Sequence, residues 1–409
     1  MLGRRPATLP ATTSERITEG VTPVMRAPSA PRAGRSPRHD GHGATLPNPA
    51  TAPPAACGGH GVTEVDVAVV GCGIMGAAAG WWLARSGAEV ALLERFGVGH
   101  SHGSSHGSSR IFRYSYPDVD HVRMAQEALP LWRELEAETG DALLVTTGGL
   151  DTGEGVEDRA RALATCGAAF ELLDAGAASR RFPRLSLAAG AAAVHQPEGA
   201  VILAGRAWRA LAGAAVARGA RMHEHTEVLG LALGGGGVEV RTRGATLRAR
   251  VAVVTAGAWA RPLLAGVGID LPTMVTRETV AYFAIADELT LPTLVDWGPG
   301  SLYALPSPGE GIKAGAHQAT HEVDPDTEAA VDPASVERIR EWVAARYPSA
   351  DPEPLRAETC LYTNTADERF ILERRGPVVA GSACSGHGFK FAPLIGRRLA
   401  ELALRGGDP

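Results

Sequence analysis

Val65-Asp-Val-Ala-Val-Val70-Gly71-Cys-Gly73-Ile-Met-Gly76, continued by Ala77 to Arg85 and Ala88 to Glu94, decides the fold. Residues 65–70 are apolar apart from Asp66 and predict a buried parallel strand. Gly71, Gly73 and Gly76 follow in G-x-G-x-x-G spacing. In such a turn the first glycine permits a sharp bend and the second lets the backbone approach a pyrophosphate. The third lets helix and sheet pack closely. Residues 77–85 then predict a helix, whose unpaired N-terminal N–H groups and dipole favour an anion. A second strand over 88–93 ends at Glu94, which can accept hydrogen bonds from both ribose hydroxyls and would repel a 2′-phosphate. The block predicts a dinucleotide site and, alone, leaves NAD and FAD both open.

Composition bounds the rest. A chain of 409 residues is more than one core usually serves, so two domains are expected. The net charge is a mild −5, and no basic run carries interleaved aromatics, so no nucleic-acid partner is expected. No stretch approaches the roughly 18 apolar residues that span a bilayer, which argues against a membrane protein. Five scattered cysteines (Cys57, Cys72, Cys166, Cys360, Cys384) form no C-x-x-C pair. They fit a reducing cytoplasm better than a disulfide framework or a zinc site.

Residues 1–62 hold ten of the 28 prolines, seven arginines against three acids, and no aromatic residue. Such a segment cannot bury enough apolar surface to offset its ordering entropy, so a disordered tail is expected. Arg4-Arg5 has no apolar stretch behind it, so it does not read as an export signal. Removing residues 1–60 is expected to leave folding and turnover intact; a truncated protein that folds without turning over would overturn this.

Outward from the opening block, residues 97–109 form a polar loop dense in Gly, Ser and His. A helix is expected over 121–139, with Val122, Ala125, Leu129, Trp132 and Leu135 on one face and Pro130 inside it. Another is expected over 205–218, followed by a glycine-rich hairpin and the apolar run 251–259. Alternation over 280–285 predicts a strand, and 333–346 a charged helix. Residues 377–404 read as strand, Gly-rich turn and helix, so the nucleotide domain is expected to be discontinuous in sequence. Trp81 and Trp82 read as packing residues.

Four further clusters carry chemistry: Gly103-Ser-Ser-His106-Gly-Ser-Ser-Arg110-Ile-Phe-Arg113-Tyr-Ser-Tyr116; Tyr303 with Gly311-Ile-Lys313-Ala-Gly-Ala-His317; Thr359-Cys360-Leu-Tyr362-Thr-Asn-Thr-Ala-Asp367; and Ser385-Gly386-His387-Gly388-Phe389-Lys390-Phe391. In order and in kind, these resemble the monomeric sarcosine oxidase and N-methyltryptophan oxidase family, covalent flavoproteins of the D-amino-acid oxidase-like superfamily. The resemblance runs from about Val65 to Leu404.

It implies an α/β fold. A Rossmann-like FAD-binding domain, discontinuous over 63–143, 200–262 and 366–409, would carry an α+β substrate domain (144–199 and 263–365) on a large, mainly antiparallel sheet. It further implies FAD bonded covalently through Cys360, with Lys313 as the cation that activates O2. The electrostatic gain from such a cation in a dry site is on the order of 3 kcal/mol. Arg113 and Lys390 would hold a substrate carboxylate, the former as a planar fork and the latter as a point charge. Arg110 would lie at the flavin face and His106 near the attachment edge, with Tyr303, His317, Tyr362 and His387 completing the pocket. FAD contacts are implied at Gly71, Gly73, Ile74, Met75, Gly76, Glu94, Arg95, Ser109, Arg110, Val228, Ala256, Gly257, Trp259 and Cys360, and along Gly386, His387, Gly388, Phe389 and Lys390. The loop Ser307-Pro-Gly-Glu310 is one residue short for the family, which makes it a place where the pocket is expected to differ.

The implied reaction is oxidation of a secondary amine amino acid, such as sarcosine or another N-methyl amino acid, to an imine. Hydrolysis would give the amino acid and formaldehyde, with O2 reduced to H2O2. A cationic pocket disfavours a protonated amine and so selects the reactive free base without a dedicated general base. A cyclic imino acid (pipecolate or proline), a secondary-metabolite intermediate, or electron transfer to a protein acceptor are the alternatives. A small-molecule amino acid partner and a monomeric protein are expected.

Overall fold

The computed structural model describes residues 63–317, 321–328 and 330–405; the expectations for 1–62 lie outside them. Thr63–Val70 forms the opening strand, and Val67 to Val70 are buried, as a strand covered on both faces must be. It pairs in parallel with Val90–Leu93 on one side and with Thr246–Val254 on the other. Val378–Ser382 adds to Thr246–Val254, also in parallel, and so brings the closing segment back to the opening block. The helix Ile74–Arg85 begins three residues earlier than expected, because the glycine turn already ends at Gly73, its N-cap.

Gly76 explains why that turn needs its third glycine. A Cβ there would collide with the Gly71 carbonyl oxygen and lie 2.7 Å from Thr255 Oγ1. Gly76→Ala is therefore expected to cost about 1–3 kcal/mol, as overpacking of a tight site does. A thermal melt beside wild type checks it, and an unchanged midpoint would refute the close packing. Helices Ala204–Ala217 and Ala392–Leu404 pack against Ile74–Arg85.

The first eight-stranded sheet runs, in order, Val228–Gly234, Gly237–Thr242, Thr246–Val254, Thr63–Val70, Val90–Leu93 and Arg221–His223, with Val378–Ser382 and Ile371–Arg375 off that path. The strand Ile371–Arg375 has no counterpart among the expected elements; its charged, half-buried residues show no strong pattern. The second eight-stranded sheet runs Pro354–Asn364, Met274–Phe283, Gly311–Ala316, Leu302–Ser307, Thr293–Trp297, Gly149–Gly153, Ala192–Gln196 and Glu171–Asp174. Its pairings are antiparallel except Thr293–Trp297 with Gly149–Gly153. The α/β class with a mainly antiparallel second sheet thus stands. A small sheet of Ser109–Phe112, Ala200–Leu203 and Leu144–Thr146 pairs with neither, though Ser109–Phe112 packs against Leu302–Ser307 of the second.

The expected helix at 121–139 starts at Val119, because the Asp118 side chain caps it by accepting from the His121 N–H. Its apolar face is buried apart from Leu129, which is half-buried, and Pro130 lies inside it. Among the described residues, no helix is long and apolar enough to cross a membrane.

Register in the second sheet sets the relative heights of three chemistry-bearing residues. Lys313 stands opposite Tyr282, and Cys360 opposite Glu278, on the two flanks of the strand Met274–Phe283. Tyr303 stands opposite Gly315.

Candidate active site

The glycine turn, the Gly/Ser/His loop, the lysine and cysteine strands and the closing glycine turn converge on one cavity of about 650 Å3. That lies within the roughly 300–1,000 Å3 usual for ligand and cofactor sites. Of the residues expected to contact a dinucleotide, Gly71, Gly73, Ile74, Met75, Glu94, Arg95, Ser109, Arg110, Val228, Ala256, Gly257 and Trp259 line it. Gly76 stands behind the wall, at the contact of helix and turn.

Glu94 accepts from the N–H groups of Cys72 and Phe96, both at 2.9 Å, which fixes its carboxylate beside the turn. A carboxylate has about four lone-pair sites, so these two bonds leave room for hydroxyl donors. Ser105 Oγ accepts from Ile74 N–H at 2.9 Å at the start of the helix. Arg95 and Trp259 meet at Asp326, whose Oδ1 accepts from Arg95 Nη1 at 2.8 Å and from Trp259 Nε1 at 2.9 Å. Asp326 also lines the cavity, and it belongs to no sequence motif.

Arg110 donates to the carbonyls of Ser104 (2.9 Å), His106 (2.6 Å) and Ser109 (2.9 Å). Its guanidinium thereby shapes the loop on which it sits. His106 is buried but does not line the cavity. Burial, then Arg110, pushes its pKa down to about 4, so the ring is neutral near pH 7.

Lys313 is buried in the cavity wall, and its Nζ and Arg110 Nη1 both lie 3.1 Å from where a Cβ on Gly107 would sit. Burial, then Arg110, pushes the lysine pKa down to about 7. Glu358, which carries no signal in the sequence, accepts from Tyr282 Oη at 2.7 Å and from Arg356 Nη1 at 2.6 Å, and its charge works to keep Lys313 protonated. Cys360 lines the same cavity. Burial raises its pKa, while Arg110 and Lys313 pull towards the thiolate.

Of the remaining expected residues, His317 and His387 lie towards Arg113 and Lys390, whereas Tyr303 and Tyr362 lie towards Cys360 and Arg110. Lys390 Nζ donates to Tyr116 Oη at 2.8 Å and to the His387 carbonyl at 2.6 Å. The Arg113 guanidinium lies 4.2 Å over the Tyr116 ring. Burial, then Arg113, holds the Lys390 pKa well below that of a free lysine. Burial also lowers both His317, to about 4, and His387, and it raises the phenols of Tyr303 and Tyr362, so all four are neutral at pH 7. Gly386 has φ +72°, and a Cβ there would collide with Tyr362 and His317, so the closing turn must be glycine at that point. None of Ser307, Pro308, Gly309 and Glu310 lines the cavity, although that loop was expected to mark a difference in the pocket.

These residues fit FAD. The glycine turn and Glu94 suit a ribose and pyrophosphate. Ser109 Oγ, in the cavity wall, is buried with no hydrogen-bond partner among the described residues. Two further lining residues, Arg159 and Trp297, had no signal in the sequence: neither belongs to a motif, and they lie on a helix and a strand far apart in the chain.

The model of the FAD dependent oxidoreductase family matches residues 66–402. The chain is 33% identical over 363 residues to the monomeric sarcosine oxidase of Bacillus sp. (strain B-0618), covering 84% of this chain and 93% of that protein. It is also 33% identical, over 362 residues, to the peroxisomal sarcosine oxidase of Homo sapiens, covering 83% of this chain and 92% of that one. Among solved structures it is similar to NikD, an unusual amino acid oxidase essential for nikkomycin biosynthesis. There the TM-score is 0.78 at 28% identity, with 84% of this chain and 95% of that chain covered.

Proposed function

As this chain belongs to the FAD dependent oxidoreductase family and is an amine oxidoreductase within it, we propose that it oxidises a secondary amine amino acid, sarcosine or another N-methyl amino acid. The products are the free amino acid and formaldehyde, from hydrolysis of an imine, and H2O2 from O2. The observation that carries this reading is that Arg113 and Lys390 line the same cavity as Lys313 and Cys360.

When bound, FAD would supply the two-electron acceptor for oxidation of the C–H bond beside nitrogen, with O2 as the final acceptor. The protein's part is positioning and charge. Arg113 and Lys390 take the substrate carboxylate, and Tyr116 braces both, which fixes where the amine points. The same cations disfavour a protonated amine, so the free base is the form held. Lys313 offers a positive charge in a dry wall, where it counts for more than in water. Cys360 is assigned the covalent bond to the flavin, with Arg110 and Lys313 favouring its thiolate.

The same reading makes 63–143, 200–262 and 366–409 the FAD-binding part and 144–199 with 263–365 the substrate part. It takes the protein to be a monomer in the cytoplasm. The second substrate reading is a cyclic imino acid or a tailoring intermediate, and the likeness to NikD, an unusual amino acid oxidase of nikkomycin biosynthesis, supports the latter.

Acid denaturation of the purified yellow protein tests the assignment. Colour is expected to stay on the polypeptide, and to be released from Cys360→Ala. Release from wild type would remove the role given to Cys360 and leave a non-covalent FAD amino acid oxidase. Peroxide and formaldehyde assays over N-methyl and cyclic amino acids then separate the two substrate readings.

A further inference from the structure

Arg159 sits on the helix Val156–Thr165, is 5% exposed, and lines the cavity beside Arg113 and Trp297. Its guanidinium carbon lies 4.3 Å from the centre of the Trp297 ring, and that of Arg113 lies 5.2 Å from the same ring. One carboxylate serves both arginines. Asp151 Oδ1 is 3.5 Å from Arg113 Nη1 and 3.7 Å from Arg159 Nε, and it accepts from Trp297 Nε1 at 2.8 Å. Neither of those two buried arginine nitrogens makes a hydrogen bond among the described residues. Arg159 Nη1 donates to the Glu154 carbonyl at 2.7 Å, which anchors the guanidinium in the wall.

Two guanidiniums against one carboxylate leave a positive excess in a desolvated place, and Lys390 stands one tyrosine ring away from Arg113. Uncompensated buried charge is costly. A single α-carboxylate, taken by Arg113 and Lys390, still leaves Arg159 with its share of Asp151 as its ion pair, Asp158 acting on it from farther off. We propose that Arg159, stacked on Trp297, is a second carboxylate station, and that the preferred substrate is a secondary amino acid bearing two carboxylates. This rests on the amine oxidase reading of the same site. The second carboxylate sits either on the nitrogen substituent or on the side chain.

The holoenzyme is assayed with sarcosine, iminodiacetate, N-methylaspartate and N-methylphenylalanine. At least one diacid is expected to exceed sarcosine in kcat/KM by about tenfold or more, and which diacid does so tells where the second carboxylate lies. Thiodiacetate, with sulfur in place of the amine, is expected to raise the melting temperature of the holoenzyme more than methylthioacetate does. In Arg159→Met the diacid-to-sarcosine ratio of kcat/KM is expected to fall about tenfold, and in Arg159→Lys to fall less. Turnover of sarcosine with no diacid preference, or a preference for N-methylphenylalanine, would overturn this inference alone. If no amine yields peroxide, the oxidase reading falls with it. The wild-type comparison decides the matter even where a variant fails to fold.

Discussion

Lys313→Met is expected to slow the return of the oxidised flavin spectrum in aerated buffer by about a hundred- to a thousandfold, the usual effect of deleting one preorganised electrostatic group. Anaerobic bleaching by substrate should slow far less. Methionine fills nearly the same space on the strand, so what is lost is the charge in a wall already shared with Arg110. Equal slowing of both half-reactions would show that Lys313 acts on substrate or folding instead. The pH dependence has a definite sign. Lysine is charged below its pKa, and burial brings that value to about 7. The wild-type oxygen step should therefore weaken as pH rises through about 7, and the methionine variant should be flat there.

Arg113→Met is expected to lower kcat/KM for a carboxylate-bearing amine by roughly a hundredfold, within the about 2–5 kcal/mol lost when one partner of a buried charged contact is truncated. Most of the loss should fall on KM, since the carboxylate is held alike before and during reaction. Lys390 adds a pH signature. Its pKa is depressed by burial and by Arg113, so an arriving carboxylate favours the ammonium and draws a proton in. Affinity should thus fall as pH rises above that depressed value. Lys390→Met should flatten this slope, and steady-state KM against pH reads both effects. A KM that ignores Arg113 would move the carboxylate elsewhere in the cavity.

The opening block was legible because its determinants are local. A strand, a turn that tolerates only glycine and an acidic strand end all lie within about thirty residues, each with one physical job. The borders of the opening helix and of Val119–Thr139 moved out to their N-caps, Gly73 and Asp118, and the helix expected over 205–218 lies one residue earlier. Lys313 and Lys390 were legible because each stands in an unusual neighbourhood: a lysine among Ile312, Ala314 and Gly315, and a lysine between two phenylalanines. Cys360 stood out only through its resemblance to the family, in which Tyr362, Thr363 and Asp367 match beside it. Asp151, Arg159 and Trp297 were not legible. They come from a strand, a helix and another strand, and only tertiary packing makes them a group. Glu358 was hidden in the same way: Arg356 is its neighbour on the same strand, but Tyr282, whose Oη donates to it, comes from Met274–Phe283 and meets it only once the strands pair.

The pairing of those strands bears on tolerance to insertion. Tyr282 and Glu278 stand on one face of a single strand, four positions apart, and each fixes the height of a residue on a different neighbour: Lys313 and Cys360. At about 3.3 Å per residue the strand is a ruler of roughly 13 Å, graduated by backbone hydrogen bonds. Lengthening or shortening the turn at Ser307–Glu310 leaves that ruler untouched, because Tyr303 is already locked opposite Gly315. One residue added within Met274–Phe283 would instead turn half of its side chains to the opposite face. Length variation is thus cheap at the hairpin tip and forbidden along the strand between the two reactive groups.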